Sequence, residues 1–254
     1  MNTNSLHGLT ARGLLAAGLT LTLTAGVAAS PLDATWEAHG GLDRWSEQKR
    51  LSYTMDGFPL TAEVAERSRS TVDLQHRKNR IESSGYVTGW DGERAWVEPA
   101  ESALGGLPAR FYNLGSFYFA GVPFVFGDPG VVVTDAGEGT FDGRTYRVIH
   151  IGYEDGVGHS AEDDYQLYID PETDLVAVLN HSVTETGVER VTWVYESYTE
   201  VDGLLLPAKL TFYPGWNPSD PGEGASYEIS GIDLGTELPD ANLYEAPSGA
   251  EIVE

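Results

Sequence analysis

Two spacings of apolar residues divide the chain. Between Pro31 and Gln48, Leu32, Trp36, His39 (or Gly40), Leu42 and Trp45 recur every three to four residues, with Asp33 near the start. That spacing predicts a helix, and Gly40-Gly41 is expected to break it into two short pieces. From Lys49 the period falls to two. Leu51-Tyr53-Met55 alternates, a long polar alternating run fills residues 62–85, and Tyr86 to Val97 reads as a hairpin turning at Asp91-Gly92 between Trp90 and Trp96. The polar character of Arg67 to Arg80 implies a sheet with one face in water.

The alternation is interrupted once. From Leu104 to Phe126 the chain carries Phe111, Tyr112, Leu114, Phe117, Tyr118, Phe119, Val122, Phe124 and Phe126 at helical spacing on nearly every side. Such a helix must be buried all round or covered by a ligand, and Gly121 and Pro123 are expected to end it. Strands then resume at Val131–Thr134, Arg144–Tyr153, Tyr165–Asp170, Leu175–Thr184, Glu189–Thr199, Leu204–Tyr213 and Ser226–Leu234. Turn signals such as Phe141-Asp142-Gly143 and Val201-Asp202-Gly203 separate them. Connections this short exclude parallel crossovers, so the sheet reads as an antiparallel meander in one domain.

The first residues are of a different kind. Met1 to Gly13 is polar with Arg12 and no acid, Leu14 to Val27 is apolar apart from threonines, and Val27-Ala28-Ala29 places small side chains where signal peptidase needs them. A signal peptide over residues 1–29, cleaved after Ala29, is expected to precede a single domain over 30–254. With no cysteine, the chain has neither a lipid-attachment site nor disulfides, and stability must come from a packed core. The expected location is the periplasm, without a lipid anchor.

Charge narrows the partners. The chain has 39 Asp and Glu against 15 Lys and Arg, for a net charge of −24. The acids are spread over many turns, which reads as a whole-surface, halophilic type of adaptation. Nucleic acid is excluded as a partner because the charge needed to neutralise phosphates is missing.

Chemistry-bearing motifs are sparse. The acidic loop over 154–164 lacks the alternating ligand spacing of an EF-hand and reads as a solvated hairpin loop rather than a cation site. The histidines that follow the expected signal peptide, His39, His76, His150, His159 and His181, are dispersed one per element, without metal-ligand spacing. No serine stands in a Gly-x-Ser-x-Gly context, and no glycine-rich turn continues into Lys-Ser/Thr. The expectation is therefore no catalytic residue, no metal and no cofactor.

Several strings resemble a known family. Ala38-His39-Gly40-Gly41-Leu42-Asp43-Arg44-Trp45, Pro123-Phe124-Val125-Phe126 with Asp128-Pro129-Gly130, and Tyr165 through Pro171 carry the likeness. Tyr195-Glu196-Ser197-Tyr198 with Val201 through Pro207, and the ending Leu243 through Pro247 with Gly249-Ala250-Glu251, extend it. Together with the order of elements they resemble the LolA-like superfamily of periplasmic lipoprotein carriers, in particular an exported branch of it. The resemblance implies an α+β, mainly antiparallel fold, a strongly curved half-barrel sheet with helices packed on its concave face. It also implies an apolar cavity between helix and sheet for a lipid or acylated molecule.

Two readings stay open. In the first, the protein is a monomeric extracytoplasmic carrier or sensor, and Phe111, Tyr112, Phe117, Phe119, Phe124, Phe126, Trp193, Tyr195 and Leu206 face a lipid or acylated hydrophobic ligand. In the second, it is a non-enzymatic interaction or scaffold module of the cell envelope with a solid core and a protein partner. A continuous cavity would favour the first, and a filled core with an exposed apolar patch the second.

Overall fold

The computed structural model describes residues 29–57, 67–154, 156–157, 163–184 and 187–253. The expected signal peptide up to residue 28, the opening of the polar run at 62–66 and most of the acidic loop lie outside the described residues.

The N-terminal helical pattern forms two short helices, α1 (Asp33–Ala38) and α2 (Leu42–Ser46), separated at the two glycines. Strands β1 (Arg50–Asp56), β2 (Ser68–Asp73), β3 (Lys78–Glu82), β4 (Val87–Trp90) and β5 (Ala95–Glu98) follow. The aromatic segment supplies α3 (Ala109–Gly121), and a 3-10 turn at Phe124–Gly127 leads out of it. Then come β6 (Val131–Phe141), β7 (Arg144–Tyr153), β8 (Tyr165–Ile169), β9 (Val176–Val183), β10 (Val188–Val201), β11 (Leu204–Tyr213), β12 (Ala225–Gly235) and β13 (Glu251–Val253). A 3-10 turn at Ala241–Tyr244 and β13 were not expected from the sequence. A three-residue strand gives too short a pattern to stand out.

All thirteen described strands join one antiparallel sheet in the order β13-β5-β4-β3-β2-β1-β12-β11-β10-β9-β8-β7-β6. Two meanders meet where β1 pairs with β12, Leu51 opposite Leu234 and Met55 opposite Ile229. The sheet is open and strongly curved, an α+β half-barrel with helices on its concave face. The curvature shows in α3, which touches β3, β4 and β5 on one side and β11 on the other.

One core fills the concave side. Trp45 stacks on Phe124 with ring centroids 5.0 Å apart, and Trp36 donates from Nε1 to the carbonyl of Pro123 at 3.1 Å. The N-terminal helices therefore close one end of the half-barrel against the exit of α3. A second cluster lies on the other face of β7–β9, where Tyr146, Val148, Tyr168 and Val178 alternate with core-facing Ile149, Leu167 and Leu179. Trp216 covers it, stacking on Phe141. That explains why these strands are apolar on both faces although the sheet is antiparallel.

Candidate ligand cavity

The two sides of α3 do different work. Tyr112, Asn113 and Ser116 face the sheet. Asn113 donates from Nδ2 to Thr88 Oγ1 at 2.8 Å and to its own helix at the Ala109 carbonyl, while Asn79 donates to the Asn113 carbonyl at 2.8 Å. The Tyr112 and Tyr86 hydroxyls lie 2.8 Å apart. These buried hydrogen bonds fix the helix on β3 and β4 in one register.

The opposite stripe, Phe111, Leu114, Gly115, Tyr118 and Val122, recurs at three- and four-residue steps and lines a cavity of about 260 Å³. Phe117 and Phe119 flank the stripe on the same cavity. The floor comes from the sheet: Val131 of β6, Tyr153 of β7, Tyr165 of β8, and Leu179 and His181 of β9. The volume lies just below the range of about 300–1,000 Å³ usual for small-molecule sites.

The cavity also has polar groups in its lining. Arg77 forks onto both carboxylate oxygens of Asp128 through Nη2, and its guanidinium carbon lies 5.0 Å from the centre of the Phe117 ring. Burial pushes the Asp128 carboxyl up, against the opposing pull of Arg77. Tyr153 interacts through its hydroxyl with Tyr118 and Tyr165, and burial raises all three phenols, so they remain neutral. Asp163 accepts the Thr184 backbone N–H at 2.8 Å. His181 stacks on Tyr165 with centroids 5.0 Å apart and planes 11° from parallel.

Of the residues the sequence assigned to the ligand, Phe111, Phe117 and Phe119 line this cavity. The other six sit in the surrounding packing. Tyr112 is held against Tyr86, Phe124 against Trp45, and Phe126 edge-on to Tyr165. Trp193 lies behind Phe119 at 4.1 Å, Tyr195 donates to the Phe119 carbonyl at 3.4 Å, and Leu206 belongs to the main core. The sequence reading missed Leu114 and Tyr118, which the helical period of the stripe would have revealed. It also missed Arg77, Asp128, Tyr153, Asp163, Tyr165 and His181, whose convergence leaves no mark in linear spacing.

Among the described residues, no group of three or more His, Asp or Glu is placed to hold a metal ion. No described helix is long and apolar enough to cross a membrane.

The architecture has counterparts among solved structures. A LolA superfamily protein from Nitrosomonas europaea superposes with a TM-score of 0.54 at 13% identity, covering 86% of this chain and 99% of that one. The fold is LolA-like. A protein of the DUF1329 family from Desulfovibrio piger is similar at a TM-score of 0.46 and 13% identity, over 85% of this chain and 98% of that one. In sequence, the model of a family of unknown function, DUF6503, matches residues 104–207. That span runs from the approach to α3 into β11 of the LolA-like sheet and holds every cavity residue except Arg77. No curated protein matches the chain.

Proposed function

We propose that this protein is an extracytoplasmic carrier or sensor that holds a lipid or acylated ligand by one aliphatic segment inserted beneath α3. The observation that carries this reading is the cavity itself. It lies between helix and sheet and is lined mainly by Phe111, Leu114, Phe117, Phe119, Val122, Val131 and Leu179, with a smaller set of polar groups among them. Each buried CH₂ would contribute about 0.8 kcal/mol, so an acyl segment can be held without a charged anchor. The fold supports the reading by analogy, and the leader pattern before Ser30 supports export. The rival scaffold reading needs an apolar docking patch. The exposed large apolar residues among those described are Val132, Leu238 and Ile252, on separate elements.

Native mass spectrometry of protein purified without detergent is the direct test, with a stoichiometric lipid or acylated adduct expected. A clean apo mass that persists after incubation with lipids would overturn the carrier reading. A substitution gives the second test. Gly115 lines the cavity from mid-helix, and a Cβ there would meet Phe119 at 3.6 Å and Phe111 at 4.0 Å, ordinary contact distances. Gly115→Leu should therefore fill the space while improving helix propensity by about 0.5–1 kcal/mol. Ligand retention should be lost with no fall in Tm. Undiminished binding in the folded variant would move the ligand elsewhere.

A further inference from the structure

Three tyrosine hydroxyls narrow what the cavity can take, an inference that rests on the carrier reading. Tyr118 belongs to α3, the roof of the cavity, while Tyr153 and Tyr165 stand on β7 and β8 in its floor. All three line the space and are half-buried, in contrast to the fully buried Tyr112 on the other side of the helix. The Tyr153 hydroxyl interacts with those of Tyr118 and Tyr165. Hydroxyls from roof and floor meet across the space between them, so the cluster belongs to the cavity and not to the packing behind it.

A count of protons shows what the cluster lacks. Tyr118 and Tyr165 feel each other's charge without a hydrogen bond between them, so the three hydroxyls form an open chain and no ring closes. Such a chain makes two hydrogen bonds and holds three protons. Whichever way the bonds run, one O–H is left to donate elsewhere. The neighbouring carboxylates are already engaged: both oxygens of Asp128 accept from Arg77, and Asp163 accepts the Thr184 N–H. An acceptor on the ligand would take the remaining proton.

The surrounding charges decide which acceptor. One guanidinium, Arg77, stands against two carboxylates, Asp128 and Asp163, in the same lining. A free carboxylate would accept the proton, but it would add a third negative charge to a mostly apolar space. An alcohol would bring a further proton that needs its own acceptor, and a phenol oxygen accepts poorly because its ring withdraws the lone pair. An ester carbonyl accepts and carries neither charge nor proton.

We propose that the cavity selects the uncharged ester carbonyl of an acyl chain, held by an O–H of the Tyr118–Tyr153–Tyr165 cluster, and discriminates against the free acid.

Calorimetric titration of the purified protein at pH 7 with methyl octanoate, 1-chlorooctane, 1-octanol and octanoate separates the cases. The ester should bind roughly five-fold or more tighter than the chloroalkane, the ratio expected for one neutral hydrogen bond, and tighter than the alcohol or the acid. The combined variant Tyr118→Phe, Tyr153→Phe, Tyr165→Phe keeps the rings and removes every hydroxyl, and it should bring the ester-to-chloroalkane ratio to about one. If that variant does not fold, the wild-type ratios alone decide. Equal wild-type affinity for ester and chloroalkane, tighter binding of octanol or octanoate, or an unchanged ratio in the folded variant would overturn the carbonyl assignment and leave the carrier reading standing. No binding of any of the four would remove both.

Discussion

Lowering the pH from 7 to 5 is expected to remove roughly 4 kcal/mol of folding free energy, about 2 kcal/mol from each of two buried histidines. His39 and His181 are both held neutral by burial, with pKa values pushed down from 6.5 to about 4. As pH falls through 6.5 the unfolded chain takes up these protons, while the folded chain does so only near 4. The stability they contribute is therefore complete above about pH 6.5 and is lost progressively down to about pH 4. For His39 the geometry gives the reason. Val176 N–H can only donate, and it lies 3.2 Å from His39 Nε2, so Nε2 accepts and Nδ1 donates to the Leu205 carbonyl at 3.1 Å. Protonating Nε2 would set one N–H against another. Urea unfolding at pH 7 and pH 5 measures the effect, and His39→Gln should roughly halve it. An unfolding free energy that stays flat across this window would refute the assignment. Against a typical total of about 5–15 kcal/mol, the expected loss is large.

Gly40→Ala should cost about 3 kcal/mol or more, whereas Gly41→Ala should cost about 1 kcal/mol. Both glycines have positive φ, +107° and +101°, so both replacements meet backbone strain. The difference lies in what surrounds them. A Cβ at position 40 would sit 2.1 Å from the Gly203 carbonyl oxygen and 3.0 Å from Leu204 Cα, while one at position 41 meets nothing within 4 Å. Backbone must therefore move at 40, and it is already committed. Arg44 donates from Nη1 to the carbonyls of Gly40 at 3.2 Å and Gly203 at 2.8 Å, and Leu205 N–H donates to the His39 carbonyl at 2.8 Å. The clamp holds the α1–α2 junction to the β10–β11 turn, closing that end of the half-barrel. Denaturant midpoints of the two variants test the argument. Equal losses would mean that strain alone, without the clash, sets the cost.

The same clamp shows why some features were legible and others were not. His39-Gly40-Gly41 and Val201-Asp202-Gly203 each look like ordinary local punctuation, and each predicted a break or turn correctly. Nothing in either string says that they touch. The α3 boundaries at Gly121 and Pro123, the β4–β5 turn at Asp91-Gly92 and the limits of β7 and β11 were readable because each depends on a residue's own backbone preference or on a period carried by near neighbours. The aromatic segment was readable as buried or ligand-covered, but not as divided. Tyr112 and Phe111 are adjacent in sequence, yet a 100° helical step sends one to Tyr86 and the other to the cavity.

By itself, the sequence determined the strand-and-turn succession, the aromatic helix across it, the reliance on a packed core without disulfides, and a net charge of −24. These follow from local periodicity and from counting. Only the tertiary structure decided that a space of about 260 Å³ remains beneath α3, and that Arg77, Asp128, Tyr153, Tyr165 and His181 share its lining. A void is what is left after side chains from distant strands have packed. Its shape depends on sheet curvature and helix placement, to which every strand contributes and which no single segment encodes.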